Sequence, residues 1–247
     1  MADFVFKRYE LKYLLSFEQY LAVRAEIKKR LSPDKFGVNT VQSLYLDTDD
    51  YRLIRESVEK PVFKEKLRLR CYNLNDCDKD IFVEMKRKYD GVVYKRRIAC
   101  KERDAENLQG GKVLTSQIGR ELKYFLNFYG GLSPKMLILC DREAFYGDGD
   151  LRVTFDRNIR YRTTDLDFHT SLNGEDIIPK DQTLMELKTG TALPLWLCDL
   201  LCDNRIRKTS FSKYGTAYQL ELTKKRSDII CLNQFSKTET LRRSVSL

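Results

Sequence analysis

Hydrophobic and polar residues alternate with a period of two along much of this chain, the pattern of half-buried strands. Phe6 to Leu14 reads as a strand ended by Ser16, followed by strands over Val41 to Asp47 and Glu65 to Tyr72. Asp80 to Arg87 pairs with Gly91 to Cys100 across Tyr89-Asp90-Gly91, where Asp-Gly is a hairpin signal. Lys135 to Tyr146 and Leu151 to Arg162 form a second hairpin around Gly147-Asp148-Gly149, and Thr183 to Thr189 is a further short strand. About eight strands, mostly antiparallel, are enough to close a barrel. Helical periodicity is rarer. Ser16 with Gln19 is a capping-box start, and Phe17, Tyr20, Leu21, Ile27 and Leu31 supply an apolar stripe. Further helices are expected over Thr115 to Tyr129, stopped by Gly130-Gly131, over Pro194 to Asn204, and over Tyr214 to Lys225. The fold class expected is α+β: an eight-stranded antiparallel β-barrel with helices packed outside.

The chain has 247 residues, 42% hydrophobic and 33% charged, which excludes a disordered or membrane-embedded protein. Five prolines and no low-complexity linker favour a single domain over 1–226, with 227–247 as a loosely ordered tail. No apolar run approaches the ~20 residues of a membrane span. The start, Met1-Ala2-Asp3-Phe4, lacks the features of a signal peptide. Seven cysteines without a CxxC pair suit a reducing, cytoplasmic setting.

Charge and histidine count narrow the chemistry. Between Tyr51 and Cys100 there are 14 Lys+Arg against 8 Asp+Glu, a concentration that implies an anionic partner. The one histidine, His169, lies in a polar stretch with no neighbouring ligand pattern and reads as a surface residue. Histidine-dependent hydrolysis and His-rich zinc sites are thereby disfavoured. Carboxylates, lysines, arginines and a hard metal ion are left to do any catalysis.

In an extended strand, residues i and i+2 share a face. Glu10-x-Lys12, Arg68-x-Arg70, Glu84-x-Lys86 and Glu186-x-Lys188 each enclose Leu or Met, so one face of each strand is apolar and the other ionised. Two architectures fit. An open sheet would leave the charged face in water, the commoner outcome for alternation by itself; a closed sheet would line a channel with it. The composition of the face favours the channel. It gathers Lys12, Lys66, Arg68, Arg70, Lys86, Lys88, Arg142, Arg152 and Lys188 with few neutral partners. Confined cations repel one another unless an anion sits among them. A phosphate chain would relieve that strain with charge-assisted hydrogen bonds. Glu84, Glu186 and Glu10 could then hold Mg²⁺ or Mn²⁺, ions that take oxygen ligands from carboxylate and phosphate together.

These residues resemble the polyphosphate polymerase domain of the vacuolar transporter chaperone complex and its bacterial stand-alone relatives, within the triphosphate tunnel metalloenzymes of CYTH type. The resemblance runs from Phe6-Lys7-Arg8-Tyr9-Glu10-Leu11-Lys12-Tyr13 to Ser210-Phe211-Ser212-Lys213-Tyr214. Ser43-Leu44-Tyr45-Leu46-Asp47-Thr48, Lys66-Leu67-Arg68-Leu69-Arg70-Cys71-Tyr72, Phe82-Val83-Glu84-Met85-Lys86 and Met185-Glu186-Leu187-Lys188-Thr189 lie between. The resemblance implies an eight-stranded tunnel with basic walls that takes ATP and polyphosphate. It implies phosphate-binding, catalytic roles for Lys12, Arg68, Arg70, Lys86, Arg142, Arg152 and Lys213. It implies a phosphate contact from Ser212 and metal binding by Glu186; the charged face adds Lys66 and Lys188 as substrate contacts, with Arg96 joining them where the hairpin register puts it on that face. Arg8 stands where the hydrolase and cyclase branches carry the first glutamate of ExExK, which agrees with the polymerase branch. Ser57 and Ser210 stand where that branch carries basic residues, with Arg55, Lys60 or Lys208 as nearby substitutes.

Polyphosphate synthesis from the terminal phosphate of ATP follows, because an anionic phosphate acceptor needs no base to deprotonate it. Hydrolysis of triphosphates and a non-catalytic polyphosphate-binding role stay open. Nucleic-acid binding is disfavoured, since the tyrosines and phenylalanines mostly occupy apolar positions of the expected elements. The chain carries no span of its own and is compatible with a membrane partner; its oligomeric state is not legible. Gly110-Gly111-Lys112-Val113 lacks Walker A spacing, and Gly147-Asp148-Gly149-Asp150 lacks the remaining ligands of a calcium loop.

Overall fold

Ten strands of the computed structural model join in one antiparallel sheet, eight of them on a continuous path. Residues 9–72, 81–90, 92–106 and 116–227 are described. The expected strand before Tyr9, the Gly110-Gly111-Lys112-Val113 turn and the tail after Ser227 lie outside them. The long strands are β1 (Tyr9–Leu15), β3 (Asn39–Asp47), β4 (Phe63–Tyr72), β5 (Ile81–Tyr89), β6 (Val92–Cys100), β7 (Ser133–Tyr146), β8 (Arg152–Arg162) and β10 (Thr183–Thr189). Two-residue strands β2 (Ser32–Pro33) and β9 (Glu175–Asp176) attach to β7 and β8. The spatial order is β1-β10-β8-β7-β3-β4-β5-β6.

The sheet is curled. In a flat sheet β1 and β5, six steps apart in this order, would be separated by about 29 Å at ~4.8 Å per step. Yet Lys86 Nζ of β5 lies 3.2 Å from the Glu10 carboxylate of β1. The charged faces therefore turn inward and line the hollow of a half-barrel, with no ladder between β1 and β6 among the described residues.

Alternation assigns the opposite face to two apolar cores. Leu67, Leu69, Val83, Met85 and Leu137 pack against Leu122, Phe125 and Leu126 of α4 (Gln117–Tyr129), joined by Ala105 of α3 (Glu102–Glu106). Leu15, Phe155, Met185 and Leu187 pack against Val23 and Ile27 of α1 (Phe17–Arg30) and Leu197 and Leu201 of α5 (Leu195–Asp203). Each fully buried leucine contributes about 1.5–3 kcal/mol, so these cores can carry the curl against repulsion within it. The helix signals operate as expected. Ser16 and Gln19 form a capping box, Ser116 caps α4, and Gly130 ends it with φ 55°.

One helix lies outside the sequence reading, and the last helix, expected over Tyr214 to Lys225, is present with a placement the sequence did not indicate. A short helix α2 (Arg52–Val58) follows β3, where the Asp47 carboxylate accepts from the amides of Leu53 and Ile54. The last described helix, α6 (213–227), lies across the concave side. Its Tyr214 stacks on Tyr45 at 4.3 Å and donates to Asp47, and Tyr214, Ala217 and Tyr218 close a third core with Ile138 and Leu184. One end of the hollow is thus filled by apolar packing, leaving the charged part beside the start of α6.

Candidate active site

Two walls of the hollow face each other. On one, β10 carries Glu186 and Lys188, β8 carries Arg152, Thr154 and Asp156, β1 carries Glu10 and Lys12, and β7 carries Arg142. Asp156 is fully buried and accepts two hydrogen bonds from the Arg142 guanidinium, at 2.6 and 2.7 Å. It also accepts one from Lys213 Nζ, which lies 3.2 Å from Glu186. Lys12 Nζ lies 3.4 Å from Glu10 and 3.7 Å from Glu186, and Lys188 is 3.9 Å from Glu186. Burial would raise these carboxyls, but the surrounding cations win. Lys86 and Lys12 bring Glu10 down to about 2, Arg142 and Lys213 bring Asp156 to about 2, and Lys213, Lys12 and Lys188 hold Glu186 well below the usual range. All stay ionised at neutral pH.

On the other wall, Arg68, Arg70 and Lys66 of β4 stand beside Glu84 and Lys86 of β5 and Lys95 and Arg97 of β6. Glu84 is 1% exposed and is shared by Lys95 at 2.5 Å, Arg68 at 2.8 Å, and Arg70 and Arg97 each at 3.6 Å. Lys66 has no carboxylate partner among the described residues; its Nζ donates to Ser212 Oγ at 3.0 Å. Burial, with Lys86, Lys12, Lys64 and Arg68 around it, pushes the Lys66 ammonium down to about 7.

The start of α6 closes the gap between the walls. Lys12 Nζ donates to the Phe211 carbonyl at 2.9 Å. Ser212 Oγ accepts from the Gly215 amide as a helix cap and also from Lys66 Nζ, and Lys213 reaches the buried carboxylates. The positive end of the helix dipole adds to the cationic character there.

Of the residues expected from sequence, Lys12, Lys66, Arg68, Arg70, Lys86, Arg142, Lys188, Ser212, Lys213, Glu10, Glu84 and Glu186 line this hollow. Arg96 does not. The register pairs it with Met85 on the convex face, where its Nε lies 3.0 Å from Glu121 of α4. Lys95 and Arg97, its neighbours, take the inward positions. Glu84 stands among four cations on the wall opposite Glu10 and Glu186, and no group of three potential ligands converges among the described residues. Arg152 stands apart at the β7–β8 hairpin end, 3.6 Å from Asp34 and over the Tyr146 ring, with a buried Nε that lacks a partner. Ser57 is buried in α2, and its carbonyl accepts from Lys64 Nζ at 3.2 Å, whereas Arg55 turns to Asp50 on the exposed side. His169 pairs with Glu102 outside the hollow.

Sequence reasoning missed Asp156, Lys95 and Arg97. The same-face spacing Arg152-x-Thr154-x-Asp156 carried the signal for the first. The Asp-Gly hairpin signal, read with Tyr89 opposite Val92, carried it for the others.

Residues 7–222 match the family model described as the VTC domain. No curated protein matches. Among solved structures, a Bacillus halodurans protein provisionally described as an adenylate cyclase superposes with a TM-score of 0.51 at 13% identity, over 83% of this chain and 95% of that one. A Hippeastrum protein, titled as an adenylyl cyclase with a dominant triphosphatase activity, gives 0.48 at 14% identity over 83% and 92%. The triphosphatase of the Mimivirus capping enzyme gives 0.40 at 10% identity over 79% and 86%. The Bacillus likeness shows a shared fold. Among the described residues no helix is long and apolar enough to cross a membrane.

Proposed function

This chain belongs to the VTC domain family, and on that premise we propose that its hollow carries out metal-dependent phosphoryl transfer, building inorganic polyphosphate from the terminal phosphoryl group of ATP. The observation that carries this reading is the excess of inward cations over carboxylates on the β4–β6 wall, with Lys66 left to a hydroxyl partner. Cations so arranged are preorganised for an anion whose charge is spread over several oxygens.

In the proposed step, a terminal oxygen of the polyphosphate acceptor forms a bond to the γ-phosphorus of ATP. The bond from that phosphorus to the bridging oxygen breaks, and ADP leaves with the electron pair. Arg68, Arg70 and Lys66 on one side and Arg142, Lys12 and Lys213 on the other hold acceptor and donor in line and balance the charge of the transferred group. The acceptor oxygen is already ionised, so no proton has to be removed. Water as acceptor would gain from a general base, but Glu10, Asp156 and Glu186 are all cation-bound and held at low pKa, which makes them weak bases. That favours transfer over hydrolysis.

A divalent ion fits Glu186 and Glu10. They flank the Lys12 ammonium, which marks a position where positive charge is already accepted, and Mg²⁺ or Mn²⁺ is commonly held by one or two carboxylates with phosphate oxygens completing the shell. When bound there it would supply charge neutralisation at the phosphates.

Incubation of the purified protein with ATP and Mn²⁺ or Mg²⁺, with products separated by gel and by nucleotide chromatography, tests the reading. Long-chain polyphosphate with ADP is expected. ADP with free phosphate would mean hydrolysis, and unchanged nucleotide with retained polyphosphate would mean a binding module.

A further inference from the structure

Three consecutive cross-strand pairs join β4 to β5: Lys64 opposite Lys88, Glu65 opposite Arg87, and Lys66 opposite Lys86. The middle pair faces the convex side, where opposite charges meet in an ion pair. The two flanking pairs face the hollow and set like charge against like, an arrangement that destabilises an antiparallel sheet. One pair of strands thus matches charge on its outer face and mismatches it on its inner face, so basic composition does not account for the pattern.

Neither edge protection nor helix capping accounts for the outer pair. Lysine is common on edge strands, where it blocks aggregation, but β4 and β5 are interior strands flanked by β3 and β6. Lys64 Nζ meets the Ser57 carbonyl at the last turn of α2, a contact that suits a helix C-terminus but leaves Lys88 unexplained. Neither lysine has a carboxylate partner among the described residues. Burial, with Lys88, Lys60 and Lys86 nearby, lowers the Lys64 ammonium below its ordinary value.

Position gives the mismatch a use. The inward row Arg70, Arg68, Lys66, Lys64 rises by two residues at each step, so it runs about 20 Å along β4. That is farther than one triphosphate reaches. The row leaves the carboxylate-bearing centre and heads for the end of the sheet where β5 turns into β6.

Resting on the reading of the hollow as a phosphate site, we propose that Lys64 and Lys88 form an outer subsite for a linear inorganic polyphosphate, gripping phosphate units that lie beyond the three held at the centre. Long chains then gain contacts that a triphosphate lacks, as the polymer runs out along β4 and β5.

The test compares binding of tripolyphosphate and of long-chain polyphosphate to the full chain and to two double variants, Lys64→Gln/Lys88→Gln and Lys64→Arg/Lys88→Arg, across a salt series. The glutamine pair is expected to weaken long-chain binding by about tenfold and to reduce its log–log salt slope by roughly 1.5, while tripolyphosphate binding stays within about twofold. The arginine pair should restore the long chain. Equal weakening of both ligands, or an unchanged long-chain affinity, overturns the outer subsite. If the unaltered protein binds tripolyphosphate but the glutamine pair does not distinguish the ligands, the central reading survives and the subsite fails. Binding of neither ligand by the unaltered protein overturns both.

Discussion

The wall built from β4, β5 and β6 and the wall built from β1, β10, β8 and β7 solve the same electrostatic problem differently. On the first, one buried carboxylate, Glu84, serves Arg68, Arg70, Lys95 and Arg97. On the second, Asp156, Glu186 and Glu10 interleave with Arg142, Lys213, Lys12 and Lys188. The second wall is close to balanced within itself, and its lysine beside two carboxylates, Lys213, is raised above the ordinary value. The first wall carries a surplus, and its Lys66, which has no carboxylate partner among the described residues, is depressed to about 7, whereas Lys188 on the second falls to about 8. A balanced wall holds its shape without a ligand. A surplus wall is incomplete until an anion arrives, and that division separates the scaffold of the site from its receptor surface.

The largest effect is expected from breaking the balanced wall. Asp156→Asn leaves Arg142 and Lys213 buried against a neutral amide, and removing one partner of such a group costs about 3–5 kcal/mol. For a chain of this size that corresponds to a melting point lower by roughly 6–20 °C, measured by calorimetry without ligand. Added tripolyphosphate should recover little of it, because the lost carboxylate lies behind the cations rather than among the phosphates. An unchanged melting point would mean that the two walls do not differ in this way.

Glu84→Gln probes the surplus wall and should cost less, about 1–3 kcal/mol, since Lys95 and Arg97 are exposed enough to swing toward water. Here tripolyphosphate should restore most of the loss, replacing the missing charge from the ligand side. Equal recovery in the Asp156 and Glu84 variants would erase the distinction between scaffold and receptor.

The same contrast explains how much of the molecule was legible in the chain. Charges at i and i+2 around an apolar residue mark the inward face of each strand from backbone geometry alone, and that pattern places Glu10, Lys12, Arg68, Arg70, Lys86, Glu186 and Lys188 together. Partnership is not written the same way. Asp156 finds Arg142 across a hairpin and Lys213 from a helix 57 residues away, and neither approach is encoded locally. Arg96 was misplaced because Lys95-Arg96-Arg97 offers a cation on either face, and the hairpin register decides which. Helix α2 went unread because seven residues hold barely two turns, too few for a 3.6-residue period to stand out; its own Leu53 and Ile54 amides, donating back to Asp47, fix its start. The crossing of α6 over the concave side depends on Tyr214 meeting Tyr45 and Asp47, contacts far apart in sequence.

The smallest effect sharpens the surplus wall at the level of one proton. Lys66 has a folded-state value of about 7 in the free protein, so it loses its charge as pH rises through neutrality. An anion bound beside it favours the charged form, so binding above pH 7 must take up a proton. By linkage, affinity then falls as pH rises, by about tenfold in all between pH 6 and pH 9, and levels off below about pH 6 where the ammonium is already charged. Lys66→Gln removes this step. Its tripolyphosphate affinity should lie about tenfold below the unaltered protein at pH 6 and converge with it toward pH 9, the ligand's own ionisation cancelling between the two. Calorimetric titration across that range reads the gap directly. A gap that stays constant with pH would mean that Lys66 keeps its proton throughout, and that the surplus wall is neutralised by internal groups rather than waiting for an anion.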